Sequence, residues 1–485
     1  MPNIRLAPPH RASPEPDPER EHPERSDSNN AHPEDAQGAE GSRLFIVVTK
    51  DFKGLGWAKE LMDEGEEVIL ATEEDEEDDG ETVKQYAQVA ENWLPRMELK
   101  DAMKQMQSVH TYWIFDDNSF PKEADTLRAE GQKVFGTTAL AERMEHDRHY
   151  AMQIAKDEAH LDTMSTHEFK TIEEGLMLLD KNPDKAYVFK PDDGKFNWMT
   201  FVPVRQEDAD ANREVYHYMA HMKDEPGDYI LQERIKLEDG LEVNCELWLY
   251  EGEPFLATVG LELKRKDTYD VGEMSGCAGD FVQVVPLDTP LLEKTIYRFL
   301  PFYQEKKYTG LVDVNVIFTP DNKPHFLEVC NRFGYNCHAT VFMGLAKDGF
   351  GNIIADICDG KVENFASRFS KDIGCSLTLF LDHPRPGLPV HIDPRWAHHY
   401  FPYDGYKEDG LEEHDLLLTG YSDEVGIFVD AGRTVEDAWK HLSEKIAFEE
   451  SVSFPDMKYR WDLADTNYYN APVLRYRELQ KRGLL

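Results

Sequence analysis

The chain is short of basic residues, has no paired cysteines and lacks any long apolar run, and each shortage removes a class of function. Lysine and arginine number 53 against 94 aspartates and glutamates, a formal net charge of −41 at pH 7. A protein whose main partner is a nucleic-acid backbone carries basic patches that release counterions, so no nucleic-acid duplex is expected. High acidity keeps a chain soluble and self-repelling and says little about fold. Adaptation to a salty cytoplasm and plain acidity both fit it. The six cysteines (Cys245, Cys277, Cys330, Cys337, Cys358 and Cys375) form no C-x-x-C pair. Zinc-ligand spacing is therefore missing, and a reducing compartment fits best. No stretch approaches the ~20 consecutive apolar residues of a membrane span. The N-terminus, MPNIRLAPPHRASPEPDPER, has no apolar signal core. A cytoplasmic protein without a membrane partner is the expectation. His338, His398 and His399 have no partner pattern that would make a nucleophilic triad.

With 485 residues, 40% of them hydrophobic, the chain has the material for several cores rather than one. Residues 1–42 are dominated by Pro, Glu, Asp, Ser and Asn, a composition that cannot offset ordering entropy, so a disordered acidic, Pro-rich tail is expected. Residues 44–49 form an apolar, β-branched run that reads as a buried strand. The loop 50–56, a helix over 57–64 and a strand over 67–71 complete a βαβ unit of an open parallel sheet. Gly54 and Gly56 are too few for a dinucleotide fingerprint. Further strands are expected at 109–115 and 133–135. Helical patterns at 148–157 and 172–180 precede strands at 186–190, 199–204, 228–232, 242–250 and 254–262. A helix over 291–306 leads to strands at 310–319 and 324–329, and a helix over 346–359 follows. The last region, from about Gly374, mixes strands at 376–381 and 426–429 with a helix over 435–446. The fold class is α/β followed by α+β.

The most specific stretch is YTGLVDVNVIFTPDNKPHFLEVCNRFG, Tyr308 to Gly334. Its two strands flank the turn-forming Pro320-Asp321-Asn322 and make a hairpin. Strand alternation puts Asp313 and Asn315 on one face, and Glu328 can point to the same side, with Asn331 and Arg332 just beyond the return strand. Hard oxygen ligands from adjacent strands suit Mg²⁺, which keeps phosphate oxygens among its other ligands. Arg332 offers a fork of donors for phosphate. A second feature is Lys190, ending an apolar strand beside the turn Gly194-Lys195, where compact positive charges can meet phosphates. A third is the strand running through Gln232 and Glu233 to Ile235, whose exposed end can offer C=O and N–H groups to an adenine edge. Glu242, shortly after, can accept from ribose hydroxyls.

In this order the three features resemble the ATP-grasp superfamily, and within it the phosphoribosylamine–glycine ligase family, over roughly Leu44 to Asp465. Leu327-Glu-Val-Cys-Asn-Arg-Phe-Gly334 resembles that family's metal-binding signature, and Val134 to Glu145 its lead-in to the grasp domain. Leu263-Lys-Arg-Lys-Asp-Thr268 with Gly276-Cys-Ala-Gly279 is similar to its substrate loop. Gly432 to Ala438 and Met457 to Arg460 are similar to its C-terminal domain. The resemblance implies an N-terminal open parallel sheet domain (43–140), a bilobal ATP-grasp domain (141–372, small lid lobe about 150–228) and a small β-rich C-terminal α+β domain (373–485).

It also implies ATP and Mg²⁺, with Mn²⁺ as a substitute, and an ATP-dependent carbon–nitrogen ligase acting on a small carboxylate (glycine or another amino acid) and an amine. Lys190 and Arg332 would act on the transferring phosphoryl group. Arg148, Lys190, Lys195, Gln232, Glu233, Ile235 and Glu242 would hold ATP. Lys264, Arg265, Asp267 and Tyr335 would meet substrate, and Asp313, Asn315, Glu328 and Asn331 the metal. Monomer and dimer both stay open. There are departures: Cys330 stands where the family has asparagine, with Asn331 one place later, and Tyr335-Asn336-Cys337 replaces Asp-Pro-Glu. The phosphate loop is reduced to Gly194-Lys195, and Arg148 replaces a lysine. A ligase for another carboxylate and amine, or a nucleotide-binding module without catalysis, are the alternatives these departures favour.

Overall fold

The computed structural model describes residues 43–73, 85, 87–191, 199–205, 207–222, 228–235, 240–448 and 451–485. The expected tail (1–42) and the Gly194-Lys195 turn lie outside the described residues.

The first sheet is built on β1 (Leu44–Val48), a five-residue run without a polar side chain, as a parallel strand covered on both faces requires. It pairs in parallel with β2 (Glu67–Thr72) and, on its other side, with β4 (Thr111–Phe115). The outer strands β3 (Arg96–Glu98) and β5 (Lys133–Phe135) complete the order β3-β2-β1-β4-β5. The chain reverses its direction of progress across the sheet between β1 and β4, and the carboxyl ends of the strands at such a reversal are where open parallel sheets receive ligands. The helix Leu55–Asp63 covers one face. Its Gly56 lies so close to Phe401 that a Cβ would meet the ring at 2.4 Å. That approach seats the buried Trp57 against Phe333, Phe350 and Phe401, at centroid distances of 5.1, 4.9 and 4.5 Å. The same core joins this sheet to residues 333–369.

Residues 162–330 form a small lobe and most of a large mixed sheet. In the lobe, β7 (Thr166–Phe169), β9 (Tyr229–Glu233) and β8 (Tyr187–Pro191) run antiparallel in that order. The helices Ile172–Lys181 and Asp208–Ala220 cover them around Phe169, Tyr187, Phe189, Val215 and Met219. The large sheet starts at β6 (Asp162–Thr163) and passes through β14 (Pro324–Cys330), β13 (Gly310–Phe318), β10 (Leu241–Tyr250), β11 (Glu253–Asp267) and β12 (Val271–Val284). It continues through β15 (Ile373–Leu381) and the strand Glu424–Gly432 to the strand Tyr400–Pro402, so the C-terminal strands extend it. The helix Val435–Phe448 packs on the strand Glu424–Gly432 and on β15.

Alternation gives the large sheet two unlike faces. Val243, Cys245 and Leu247 with Val312, Val314 and Val316 point into a core shared with Leu291, Phe299 and Tyr303. Through the register of the strands, Glu242, Asn244 and Glu246 share the other face with Asp313, Asn315 and Glu328. That polar face is the floor of the site.

Three elements differ from the sequence reading. The helix over 291–306 is broken into Pro290–Lys294, a tight turn Ile296–Arg298 and Leu300–Glu305. Pro301 sits in the first turn of the last piece, where its missing N–H is harmless, but it cannot continue a preceding helix. The strand over 199–204 is reduced to one bridge between Phe189 and Phe201. Conversely, β12, with Gly272, Gly276 and Gly279, has little strand propensity of its own, and β11 and β15 on its flanks impose it. Among the described residues no helix is long and apolar enough to cross a membrane.

Candidate active site on the polar face of the large sheet

Asn315 and Glu328 are register partners on β13 and β14, and Asn315 Nδ2 donates to Glu328 Oε1 at 3.4 Å. Asp313 follows on the same face, buried, with Oδ1 lacking a hydrogen-bond partner. Burial, and then the charges of Glu246 and Glu262, push the Asp313 carboxyl well above the usual carboxylate range. Glu328 goes the other way. Burial alone would raise it, but Lys264, Lys190, Arg148 and Arg332 together outweigh burial and hold its pKa below the ordinary value. Four cations from four different segments thus converge on one carboxylate.

Lys190 comes from β8 of the small lobe and is steered by Gln232 of β9, whose Oε1 accepts from Nζ at 2.9 Å. Burial, then the neighbouring Arg148 charge, lowers the Lys190 pKa to about 8, with Glu328 and Glu242 opposing the shift. Arg148 opens the helix Arg148–Asp157, which is capped by Asp147 accepting from the Tyr150 N–H. Glu242 is half-buried, and burial raises its pKa against the pull of Arg475 and Lys264. Arg475 also binds the Glu242 carbonyl at 3.0 Å. Glu233 spends its carboxylate on Lys185 and its N–H on the Ser165 carbonyl at 2.8 Å. Ile235 is the last described residue before 236–239. Lys195 lies outside the described residues.

Arg332 reaches the same region but is tied down, with Nε on Glu145 at 2.8 Å and Nη1 on the Phe333 carbonyl at 2.8 Å. The Glu145 charge is the main reason its guanidinium is held well above the ordinary value. Lys264 pairs with Glu262, and although burial works against its charge, Glu262 and Glu328 more than offset burial. The Tyr335 hydroxyl donates to Asp116 Oδ2 at 3.3 Å, toward the first sheet.

Three sequence expectations need correcting. Asn331 does not join Glu328: its Nδ2 donates to the buried Tyr303 hydroxyl at 2.9 Å, on the apolar side of the sheet. The cause is strand alternation, which turns Cys330 and not Asn331 to the side of Glu328 and opposite Asp313. Burial, then Glu145 and Glu328, holds the Cys330 thiol well above its ordinary pKa, so it stays protonated and is a poor ligand for a hard cation. Arg265 points away from Lys264 and braces the backbone, binding the Gly272 carbonyl at 2.8 Å and the Val202 carbonyl at 2.6 Å. Asp267 is exposed at the end of β11, next to the hairpin tip.

The sequence reading missed Glu145, Glu262 and the buried pair Glu246–His338, whose Oε1 and Nε2 lie 2.9 Å apart. Glu246 also accepts from Thr258 Oγ1 at 2.7 Å and Trp248 Nε1 at 3.1 Å. Together with Asn336 donating to Ser376 Oγ at 2.9 Å, it fastens the helix after Arg332 to the floor. A signal existed in the alternation Glu242, Asn244, Glu246, which is polar at every second residue of β10. A surface cavity of about 700 Å³, lined by residues including Tyr250, Glu253, Phe255 and Phe365, contains none of the site residues.

No family model and no curated protein matches the chain by sequence. Solved structures do match it. Phosphoribosylamine–glycine ligase from Thermotoga maritima superposes with a TM-score of 0.62 at 19% identity, over 86% of this chain and 99% of that one. Biotin carboxylase from Campylobacter jejuni, solved with a β,γ-ATP ligand, gives 0.58 at 10% identity, over 90% and 95%. The biotin carboxylase domain of 2-oxoglutarate carboxylase from Hydrogenobacter thermophilus, solved with MgADP, ADP and bicarbonate, gives 0.59 at 12%, over 91% and 98%. Likeness at this identity is likeness of fold, and it extends over nearly all of the described chain: the protein has the ATP-grasp fold.

Proposed function

We propose that the chain is an ATP-dependent ligase that joins a small carboxylate to an amine through an acyl phosphate. The observation that carries this reading is the convergence of Lys190, Arg148, Lys264 and Arg332 on Glu328, beside Asn315 and the unpartnered Oδ1 of Asp313. Cations from both lobes around an ionised carboxylate suit a polyphosphate bound by way of a divalent ion. Hard oxygen donors on neighbouring strands fit Mg²⁺, with Mn²⁺ as a substitute, and Asp313, Asn315 and Glu328 would hold it. When bound, the ion offsets charge on the phosphate oxygens.

In the reaction a carboxylate oxygen of the substrate attacks the γ-phosphorus, and ADP leaves. The amine then attacks the acyl carbon, loses a proton, and inorganic phosphate departs with the C–O bonding pair. No side chain needs to become a nucleophile, so the protein's work is positioning and charge stabilisation. Glu233, which ends β9, and Ile235 just beyond it would meet adenine and Glu242 the ribose. Lys190, held by Gln232, and Arg148 would meet the phosphates. Arg332, fixed by Glu145, would face the transferring group. The neighbours solved with ATP or ADP ligands support a nucleotide between the lobes. The finer reading is glycine with phosphoribosylamine. A different carboxylate and amine pair is favoured by Lys264 being paired with Glu262 and Arg265 with backbone carbonyls, which leaves these two cations committed.

ADP release by the full chain should be Mg²⁺-dependent and should rise with one pair from a panel of amino acids and amines that includes glycine with phosphoribosylamine. ATP binding with no release across the panel would overturn the reading in favour of a module without catalysis. A pH titration provides a second test. Lys190 is charged below about pH 8 in the free protein and neutral above it. ATP affinity is therefore expected to weaken as pH rises through about 8, and Lys190→Arg, which keeps its charge, should flatten that dependence. Equal slopes in the two proteins from pH 7 to 9.5 would remove Lys190 from the phosphate site.

A further inference from the structure

We propose that the crevice at the carboxyl ends of β1 and β4 holds an alkylammonium group of the second substrate, not a phosphate ester. The crevice lies where the order of the first sheet reverses, the place where open parallel sheets receive ligands. Asp51 and Thr49 come from the loop after β1, Asp116 and Asp117 from the end of β4. Tyr335 closes the crevice from the helix Tyr335–Ala339.

Among the described residues, carboxylates outnumber the bases shown to act on this site, Lys53 and Arg332: the charges of Asp51 and Arg332 act on Lys53, and Arg332 acts on Asp117. Each is already neutralised, Lys53 by Glu424 at 2.8 Å and Arg332 by Glu145 at 2.8 Å. Among the described residues no ion pair joins Asp51, Asp116 or Asp117 to a base. A phosphate ester would meet these three carboxylates, while Lys53 and Arg332 are each shared with a further carboxylate.

Asp116 is a second and independent indication. It is fully buried, and its Oδ2 accepts from Thr49 Oγ1 at 2.6 Å and from the Tyr335 hydroxyl at 3.3 Å. Its Oδ1 has no hydrogen-bond partner. Room for this carboxylate is made by Gly54, where a Cβ would stand 2.7 Å from Oδ2. Burial, then Asp117 and Asp51, holds Asp116 well above the carboxylate range, and burial and Asp51 raise Asp117. An incoming cation relieves both costs. The walls suit an organic cation over a bare metal ion. The rings of Tyr335 and Tyr403 stand 5.7 Å apart at 78°, and the Lys53 ammonium already lies 5.6 Å from each centroid. Arg332 acts on Asp117 in the crevice and on Glu328 at the hairpin, which couples the two regions electrostatically.

The role of this group as substrate rests on the ligase reading; its binding does not. Calorimetry on the full chain should show 1,4-diaminobutane and glycinamide binding, ribose 5-phosphate not competing, and Mg²⁺ alone not displacing them. Asp116→Asn should weaken diamine binding about tenfold to a hundredfold, the worth of one charge-assisted contact. The same variant should melt at a higher temperature without ligand, because the cost of burying an ionisable carboxyl beside Asp117 and Asp51 is gone. Asp51→Asn, on a less buried residue, should weaken binding in the same direction. Unchanged diamine affinity in both variants, ribose 5-phosphate binding in the crevice, or binding of Mg²⁺ alone that depends on Asp116 would overturn the proposal. Diamine binding without ADP release for any pair would sink the ligase reading alone. Release driven by a phosphate ester and indifferent to Asp116 would sink this inference alone.

Discussion

Glu328→Ala is expected to lower ADP release by about 10²–10³-fold or more, on the scale of removing a preorganised electrostatic contact from a reacting phosphoryl group, while the protein stays folded. The expectation of an intact fold comes from how the surrounding charges are supported. Lys264 keeps Glu262, Arg332 keeps Glu145, and Lys190 keeps Gln232, so none of these three cations is stranded by the loss of Glu328 alone. The half-buried side chain also leaves no closed apolar cavity behind. Glu328→Gln sharpens the test, since it preserves size and hydrogen bonding to Asn315 while removing the charge. If charge matters, the glutamine variant should fall nearly as far as alanine. The acid limb of activity should lie low as well. The Glu328 carboxyl is held below its ordinary pKa, so its charge is present above that value and is lost only as pH falls through it. Near-normal release by Glu328→Ala would mean the divalent ion is gripped elsewhere.

The hairpin at 310–330 was legible because strand period and turn chemistry are local: alternation alone predicts Asn315 and Glu328 on one face, and they are register partners. The same rule, applied one residue further, also predicts the fate of Asn331, which the spacing of a resembling motif obscured. Alternation sends Asn331 to Tyr303 and leaves Cys330 beside Glu328. The partners of the cations were not legible. Glu145 reaches Arg332 across 187 positions of sequence, and Tyr335 reaches Asp116 across 219. No local pattern encodes contacts between segments so far apart in the chain, one from the helix Ala139–His146 and one from the end of β4. Beyond its first strand, expected at 254–262, the long hairpin of β11 and β12 was not legible, for a related reason. Its glycines carry no strand preference, and its structure comes from β10 on one side and β15 on the other. Residues that look like a substrate loop in sequence are thus split by the pleat, Lys264 toward Glu328 and Arg265 toward backbone carbonyls.

Arg460→Met is expected to cost about 3–5 kcal/mol of folding stability, the penalty of stranding a buried charge by deleting its partner. Arg460 is fully buried and grips Asp462 with two bonds, Nε to Oδ1 at 2.6 Å and Nη2 to Oδ2 at 2.7 Å. Its Nη1 binds Asp270 at 3.2 Å and the Arg265 carbonyl at 2.8 Å. Burial alone would lower its pKa, but the bond to Asp462 and the charges of Asp462 and Asp270 more than reverse that. The cluster holds a strained turn. Tyr269 and Asp270, at the tip between β11 and β12, have φ of 60° and 55°, a left-handed conformation costly for residues with a Cβ. Asp462 accepts from the Tyr269 N–H at 2.7 Å, and Asn470 Nδ2 binds Asp270 at 2.7 Å, so the tip is fixed from the C-terminal segment. Without the guanidinium, Asp462 and Asp270 lose their shared counter-charge and the turn loses its brace. The urea midpoint should fall, and amide exchange should quicken first at the tip and along the strand that carries Lys264 and Arg265. Arg460→Met combined with Asp462→Leu should recover part of the loss, because the buried carboxylate is then removed with its partner. A single variant as stable as the parent would show that the hairpin tip is held by β10 and β15 alone.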